Sequence, residues 1–220
     1  MKRCIILIAA FQLFLIVCSA QTQTQPNFWN DVQTIKNYDK IYQTPAQPIL
    51  FVGSSSIRKW QSLQVAFGEY NVINRGIGGA VINDIVFYLN DIVFPYRPRQ
   101  IVLYVGENDL PDQSVTADTV LNRTIKLFNM IRAKLPAVPI VYIAMKPSPV
   151  RDKYQQKARD GNLLIKNFLT KEKDAVFVDI FSPMLKDGKS RPELFVEDML
   201  HMNKQGYIIW EKEVKRYLIK

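Results

Sequence analysis

The residues in this chain that could do chemistry are concentrated in a few short segments. The first is Gly53-Ser54-Ser55-Ser56, directly after the apolar run Ile49–Val52. A glycine at a strand end permits a sharp turn. Serines just beyond it can stand above a sheet, where backbone N–H groups at a helix start stabilise an oxyanion. The same segment also reads as a serine-rich helix cap or a phosphate-cradling loop. It is not a G-x-S-x-G elbow, because Ile57 stands where the second glycine belongs.

Two more segments also follow apolar runs. Gly76-Ile77-Gly78-Gly79 has a backbone that must bend sharply or approach something closely. Its glycine spacing does not suit a dinucleotide, and no acid follows at the expected distance. Gly106-Glu107-Asn108-Asp109 offers a side-chain amide at a strand end, although Gly, Asn and Asp are also ordinary turn residues.

The last segment is Asp198-Met199-Leu200-His201, which holds the only histidine of the sequence. A serine nucleophile at neutral pH needs a base, and imidazole is the usual one. Asp198 is close enough in sequence to fix its tautomer. Read alone, a single histidine is a surface or satisfied core residue more often than a catalytic one. Together, a serine, a glycine turn, an amide and a histidine beside an acid form the set that acyl transfer requires. A metal site is not expected, since one histidine and no mature cysteine leave only oxygen ligands and no carboxylates have calcium-loop spacing.

These residues need elements to position them. Strands are predicted at Ile49–Gly53, Val72–Asn74, Ile101–Val105, Ile140–Ala144 and Ala175–Ile180, each rich in Val and Ile. Helical spacing predicts helices over Asn27–Tyr42, Val81–Val93, Thr119–Leu135, Arg151–Thr170 and Lys204–Leu218. Alternating strands and helices imply parallel pairing with right-handed crossovers. Consecutive apolar positions imply strands buried on both faces. The expected fold is α/β: a three-layer α/β/α sandwich on a five-stranded, mostly parallel sheet of flavodoxin type. Ligands in such folds bind beyond the carboxyl ends of the strands, where the candidate segments lie.

The chain has 220 residues, and 48% of them are apolar, enough for one domain with its own core. Lys2 and Arg3, the apolar run Ile5–Val17 and Ser19-Ala20 have the layout of a secretory signal peptide. Residues 1–20 are therefore expected to be a leader, 21–48 a polar tether and a helix, and 49–220 the main domain. Export, periplasmic or secreted, follows, with a retained N-terminal anchor as the alternative. Both cysteines, Cys4 and Cys18, fall in the leader, so a mature protein would hold no disulfide. Net charge is +9, and +7 without Lys2 and Arg3. Such a surface suits anionic glycans or membrane surfaces. The charges are scattered, without a basic stripe interleaved with aromatics, so nucleic acid is not expected as a partner.

The four segments, in this order, resemble the blocks of the SGNH hydrolases, also called GDSL-like lipases/acylhydrolases. Ile49–Arg58 resembles the first block, Asn74–Gly79 the second, Gly106–Asp109 the third and Asp198–His201 the last. The resemblance implies a catalytic set of Ser55, Asp198 and His201. It implies an oxyanion hole from the N–H groups of Ser55 and Gly79 and the amide of Asn108. It implies neither metal nor organic cofactor. The family's G-D-S here reads Gly53-Ser54-Ser55, and Ser55 is taken as the nucleophile because it stands two residues after the glycine. The Asn-x-Gly-x-Gly-Gly segment is most similar to the platelet-activating-factor acetylhydrolase-like branch. That branch and related carbohydrate esterases act mainly on short acyl groups. The implied function is a serine esterase for acetyl-type esters of small molecules or polysaccharides. A lysophospholipase, an O-acetyltransferase and a glycan-binding module that cleaves nothing remain alternatives, and oligomeric state is left open. The sequon Asn122-Arg123-Thr124 lies within a predicted helix, and Lys146-Pro147-Ser148-Pro149 reads as a stiff turn on the crevice side.

Overall fold

The computed structural model describes residues 25–220. The expected leader and the start of the tether lie outside the described residues. The chain runs through α1 (Trp29–Ile41), β1 (Ile49–Gly53), α2 (Ser55–Arg58), α3 (Leu63–Ala66), β2 (Val72–Gly76), α4 (Ile82–Phe87) and α5 (Leu89–Ile92). It continues through β3 (Gln100–Tyr104), α6 (Ala117–Lys134), β4 (Ile140–Ile143), α7 (Gln155–Leu169) and β5 (Ala175–Val178). A small hairpin, β6 (Leu185–Lys186) and β7 (Lys189–Ser190), precedes α8 (Lys204–Lys215).

The main sheet has the order β2-β1-β3-β4-β5, and every pair in it is parallel. This is the flavodoxin order, and its flanking helices complete the expected three-layer sandwich. Strands β1, β3 and β4 are buried at every position, as their apolar runs require, and the one polar side chain among them, Gln100 at the start of β3, donates to the Tyr217 carbonyl at 2.7 Å. The outer strands β2 and β5 are only partly covered, so β2 can carry Asn74 and Arg75. Register brings Gly53 level with Gly76 on one side and Tyr104 on the other. The exits of three strands therefore open at one height. The chain leaves β1 for β2 on one side and reaches β3 on the other, so the crevice lies above β1.

Some helices differ from expectation. Val81–Val93 forms two helices, broken at Tyr88, where φ is −94° and ψ 10°. The Tyr88 ring is buried, and its hydroxyl donates to the Asn27 carbonyl at 2.6 Å, tying this break to the entry of α1. The stretch expected to begin a helix at Arg151 opens instead as a 3-10 segment over Pro149–Tyr154, with Pro149 as its first residue. Helix α6 starts earlier than expected because Thr116 caps it, accepting from the Thr119 N–H at 3.2 Å. Helices α2 and α3 and the hairpin are too short to have shown a period.

The C-terminal helix is locked by aromatics to the segment that follows the first strand and to the end of β3. Trp210 is fully buried, with ring centroids 5.6 Å from Trp60 and 4.6 Å from Tyr104. Tyr207 stacks on Trp60, and its hydroxyl donates to the Ser56 carbonyl at 2.9 Å. Helix α8 thus grips the turn that follows β1. Trp210→Ala should lower the unfolding free energy by about 3–5 kcal/mol. Urea titration measures this, and an unchanged midpoint would contradict the packing role assigned to Trp210.

Candidate active site

The turn after β1 is built by close approach. A Cβ on Gly53 would stand 1.9 Å from the Tyr104 carbonyl oxygen, so only glycine fits there. The Ser54 N–H donates to that oxygen at 3.1 Å, and the Ser54 carbonyl accepts from Ile57 and Arg58 as α2 begins. Ser54 is buried, Ser55 is the first residue of α2, and Ser56 is buried again. Of the three serines, Ser55 therefore presents its hydroxyl to the crevice.

His201 arrives from a turn just before α8. Met199 takes a left-handed conformation, φ 54°, and the His201 carbonyl accepts from the Val196 N–H at 2.9 Å. Asn203 caps α8, accepting from the N–H groups of Gln205 and Gly206 at 2.9 and 3.2 Å. This holds the imidazole with Nε2 2.9 Å from the Ser55 Oγ. Its Nδ1 lies 2.5 Å from Asp198 Oδ2. The other carboxylate oxygen of Asp198 accepts from the N–H groups of Leu200 and His201 at 2.9 and 2.8 Å. Desolvation works against ionisation of Asp198. The hydrogen bonds from the His201 ring and from those two N–H groups outweigh it and hold the carboxyl well below its usual range. An ionised Asp198 only accepts, so Nδ1 carries the ring proton and Nε2 presents its lone pair to the hydroxyl. Lys59 brings its ammonium to 3.3 Å from Nδ1, on the exposed side of the ring.

The second and third segments flank this pair. Gly79 has φ 85°, a conformation that L side chains rarely adopt. Among the described residues, neither the Ser55 nor the Gly79 N–H has a hydrogen-bond acceptor. The Asn108 amide donates to the Ala80 carbonyl at 3.0 Å and accepts from Arg151 at 2.9 Å. The buried Asp109 ties the two loops together, accepting from the Ile82 N–H at 3.1 Å and pairing with Arg123 at 2.6 Å. Burial pushes the Asp109 carboxyl up, against the opposing effect of those two donors. All five candidates, Ser55, Gly79, Asn108, Asp198 and His201, thus meet at one end of the sheet. This arrangement can pass a proton from a hydroxyl to an imidazole and offer N–H groups to an oxyanion. Among the described residues no cluster of three or more His, Cys, Asp or Glu could hold a metal ion.

Several residues beside the crevice escaped the sequence reading. Lys146 comes from the segment read as a stiff turn, and Arg151 from the expected start of the helix Arg151–Thr170. Lys146 Nζ sits 2.8 Å from both carboxylate oxygens of the buried Glu107. Arg151 lies 3.1 Å from the same carboxylate, and the Tyr104 hydroxyl donates to it. Burial alone would raise the Glu107 pKa, but Lys146 and Arg151 outweigh it and hold the carboxyl below its usual range. The available signal was two cations placed just beyond the exit of β4. Phe28 also escaped notice. It is left-handed at φ 62°, and its ring lies 3.7 Å from where a Cβ on Gly79 would stand.

A parallel α/β/α sandwich with a serine, an imidazole and a carboxylate in hydrogen-bonded series above its switch point defines a class of hydrolases. The chain belongs to the GDSL-like lipase/acylhydrolase family, whose model matches residues 45–209. It is a hydrolase of that family. No curated protein matches it in sequence. Among solved structures, it is similar to a Streptococcus pneumonia protein named for platelet activating factor, with TM-score 0.75, 24% identity, and 86% of this chain and 92% of that one covered. It is similar to a GDSL-like lipase from Bacteroides thetaiotaomicron, at TM-score 0.74 and 18% identity over 86% and 97% of the two chains. It also resembles a catalytic mutant of an acetylxylan esterase from Geobacillus stearothermophilus, at TM-score 0.62 and 16% identity over 80% and 96%.

Glu107→Gln leaves the buried Lys146 and the partly buried Arg151 without their anion and should cost about 3–5 kcal/mol of stability at neutral pH. The folded-state pKa of Glu107 is lowered, so its contribution is complete above the unfolded value of about 4.3 and is lost as pH falls from there toward the folded value. Urea unfolding of both proteins should show the gap closing below that pH. A gap that widened in acid would contradict an ionised Glu107.

Proposed function

We propose that the protein is a serine esterase that removes short acyl groups, acetyl above all, through an acyl-enzyme. The observation that carries the reading is the hydrogen-bonded series from Ser55 Oγ through the His201 ring to Asp198. His201 takes the proton of Ser55 as its oxygen attacks the ester carbonyl. The N–H groups of Ser55 and Gly79 and the amide of Asn108 receive the oxyanion. Asp198 keeps the ring tautomer and offsets the imidazolium charge. His201 then protonates the leaving alcohol. Water repeats the sequence in reverse and frees the acid and Ser55.

Phe28 supports a short acyl group, because its ring closes the space beside Gly79. Beside His201 lies a cleft of about 590 Å³ lined by Lys59, Ser62, Val196, Met202, Lys204 and Tyr207. Its size suits a sugar alcohol, and its two lysines suit a partly anionic glycan. The name of the acetylxylan esterase among the structural relatives accords with this choice. A second reading, a lysophospholipid at a membrane surface, is favoured by the exposed rim residues Val150, Val196 and Met199. The leader-like residues 1–20 support export of the enzyme to where either substrate occurs.

Ser55→Ala should abolish p-nitrophenyl acetate hydrolysis and fluorophosphonate labelling while leaving the fold intact. Turnover that survived in Ser55→Ala and vanished in Ser54→Ala would move the nucleophile by one residue. Asp198 stays ionised far into acid, so the acid limb of kcat/KM should reflect one proton, a slope of about one decade per pH unit. A slope of two would give Asp198 a titration of its own. Acetyl esters should be cleaved faster than octanoyl esters, and Phe28→Ala should narrow the difference. A wild-type preference for octanoyl would favour the lipid reading.

A further inference from the structure

We propose that Arg151 is a positioning residue for the oxyanion hole, fixing which way the Asn108 amide faces. The inference rests on the esterase reading and extends it to a side chain outside the four family segments.

An asparagine amide has a donating end and an accepting end of nearly the same shape, so something must decide between its two orientations. At Asn108 two neighbours decide. The Ala80 carbonyl can only accept, and it takes a hydrogen bond from Nδ2 at 3.0 Å. Arg151 can only donate, and its Nη2 gives one to Oδ1 at 2.9 Å. Both constraints select the same orientation, and Nδ2 keeps a second N–H for the crevice. If the amide flipped, Oδ1 would face both the Ala80 carbonyl and the developing negative charge with no proton between them, and Nδ2 would meet the donating Arg151.

Arg151 is itself held firmly. Its Nη1 donates to the Glu107 main-chain oxygen at 2.9 Å and lies 3.1 Å from the Glu107 carboxylate. A planar guanidinium bridges the backbone and side chain of consecutive residues, which a single ammonium cannot do with the same geometry. Lys146 cannot substitute, because its Nζ is already seated between both oxygens of Glu107. The side chain of Arg151 is 17% exposed, so water competes little for Oδ1. A hydrogen bond to Oδ1 also polarises the amide and strengthens the remaining N–H as a donor.

The test is a double-mutant cycle on p-nitrophenyl acetate with wild type, Asn108→Ala, Arg151→Met and the double variant. Removing an oxyanion donor costs about 10²–10³ in kcat, so Arg151→Met, which only loosens that donor, should cost about 10–100-fold. KM should stay within about twofold, since the interaction strengthens in the transition state. In the Asn108→Ala background the Arg151 substitution should change kcat by less than about twofold, because the group it positions is gone. Arg151→Lys keeps a cation beside Glu107, so it runs the same cycle if the Met variant does not fold, and it should also lower kcat. Wild-type kcat in a folded Arg151 variant, or an undiminished loss in the Asn108→Ala background, would overturn the proposal. Those outcomes in an enzyme that still depends on Ser55 sink the positioning role alone. Hydrolysis that does not depend on Ser55 sinks the esterase reading and this proposal with it.

Discussion

The parallel register of β1 with its two neighbours is the constraint on which everything else in the site depends. Because Gly53, Gly76 and Tyr104 are level, the three loops that follow them emerge side by side. A slip by one residue would turn every side chain of a strand to the opposite face. Strands buried on both faces make that slip costly, because the apolar positions would lose their partners in both helical layers. The hydroxyl of Ser55, the backbone of Gly79 and the amide of Asn108 gain their shared height from sheet hydrogen bonding.

The fourth contribution comes from outside the sheet. His201 is 146 residues from Ser55 in sequence, yet its ring reaches the hydroxyl. What brings it there is α8, whose Trp210 and Tyr207 pack on Trp60 and whose Tyr207 hydroxyl bonds the Ser56 carbonyl. The same helix therefore anchors the turn carrying Ser55 and carries, at its start, the turn presenting His201. A shift of α8 would move both partners together, which protects the 2.9 Å contact between them.

Behind the crevice lies an unusual concentration of buried charge. Glu107, Lys146 and Arg151, with the Tyr104 hydroxyl, form one network. Buried ion pairs are weak contributors to stability, because desolvation consumes most of their attraction. A network with two cations and one anion directly behind a site for negative charge has an electrostatic use as well. Its dipoles are fixed before the reaction begins and need no reorganisation during it.

Much of this was legible in the chain itself. The three inner strands are apolar apart from Gln100 at the start of β3, and their predicted spans differ from the observed ones by only a residue or two. Strand exits are local features, so Gly53-Ser54-Ser55-Ser56, Gly76–Gly79 and Gly106–Asp109 could be placed at one end of the sheet from alternation alone. The single-turn helices α2 and α3 and the two-residue strands of the β6–β7 hairpin were not legible, because they are too short to repeat their own period. Nor was the break at Tyr88, which is tied to a hydrogen bond with Asn27, 61 residues away. The three adjacent serines have the same chemistry, and only the start of α2 decides which hydroxyl meets the ring. Arg151 reads as one cation among many until β4 and β3 pair and bring it to Asn108, 43 residues distant. Patterns of period two and 3.6 are written in neighbouring residues and determine the layers. Which side chain touches which across those layers depends on long-range packing, and that only the folded molecule decides.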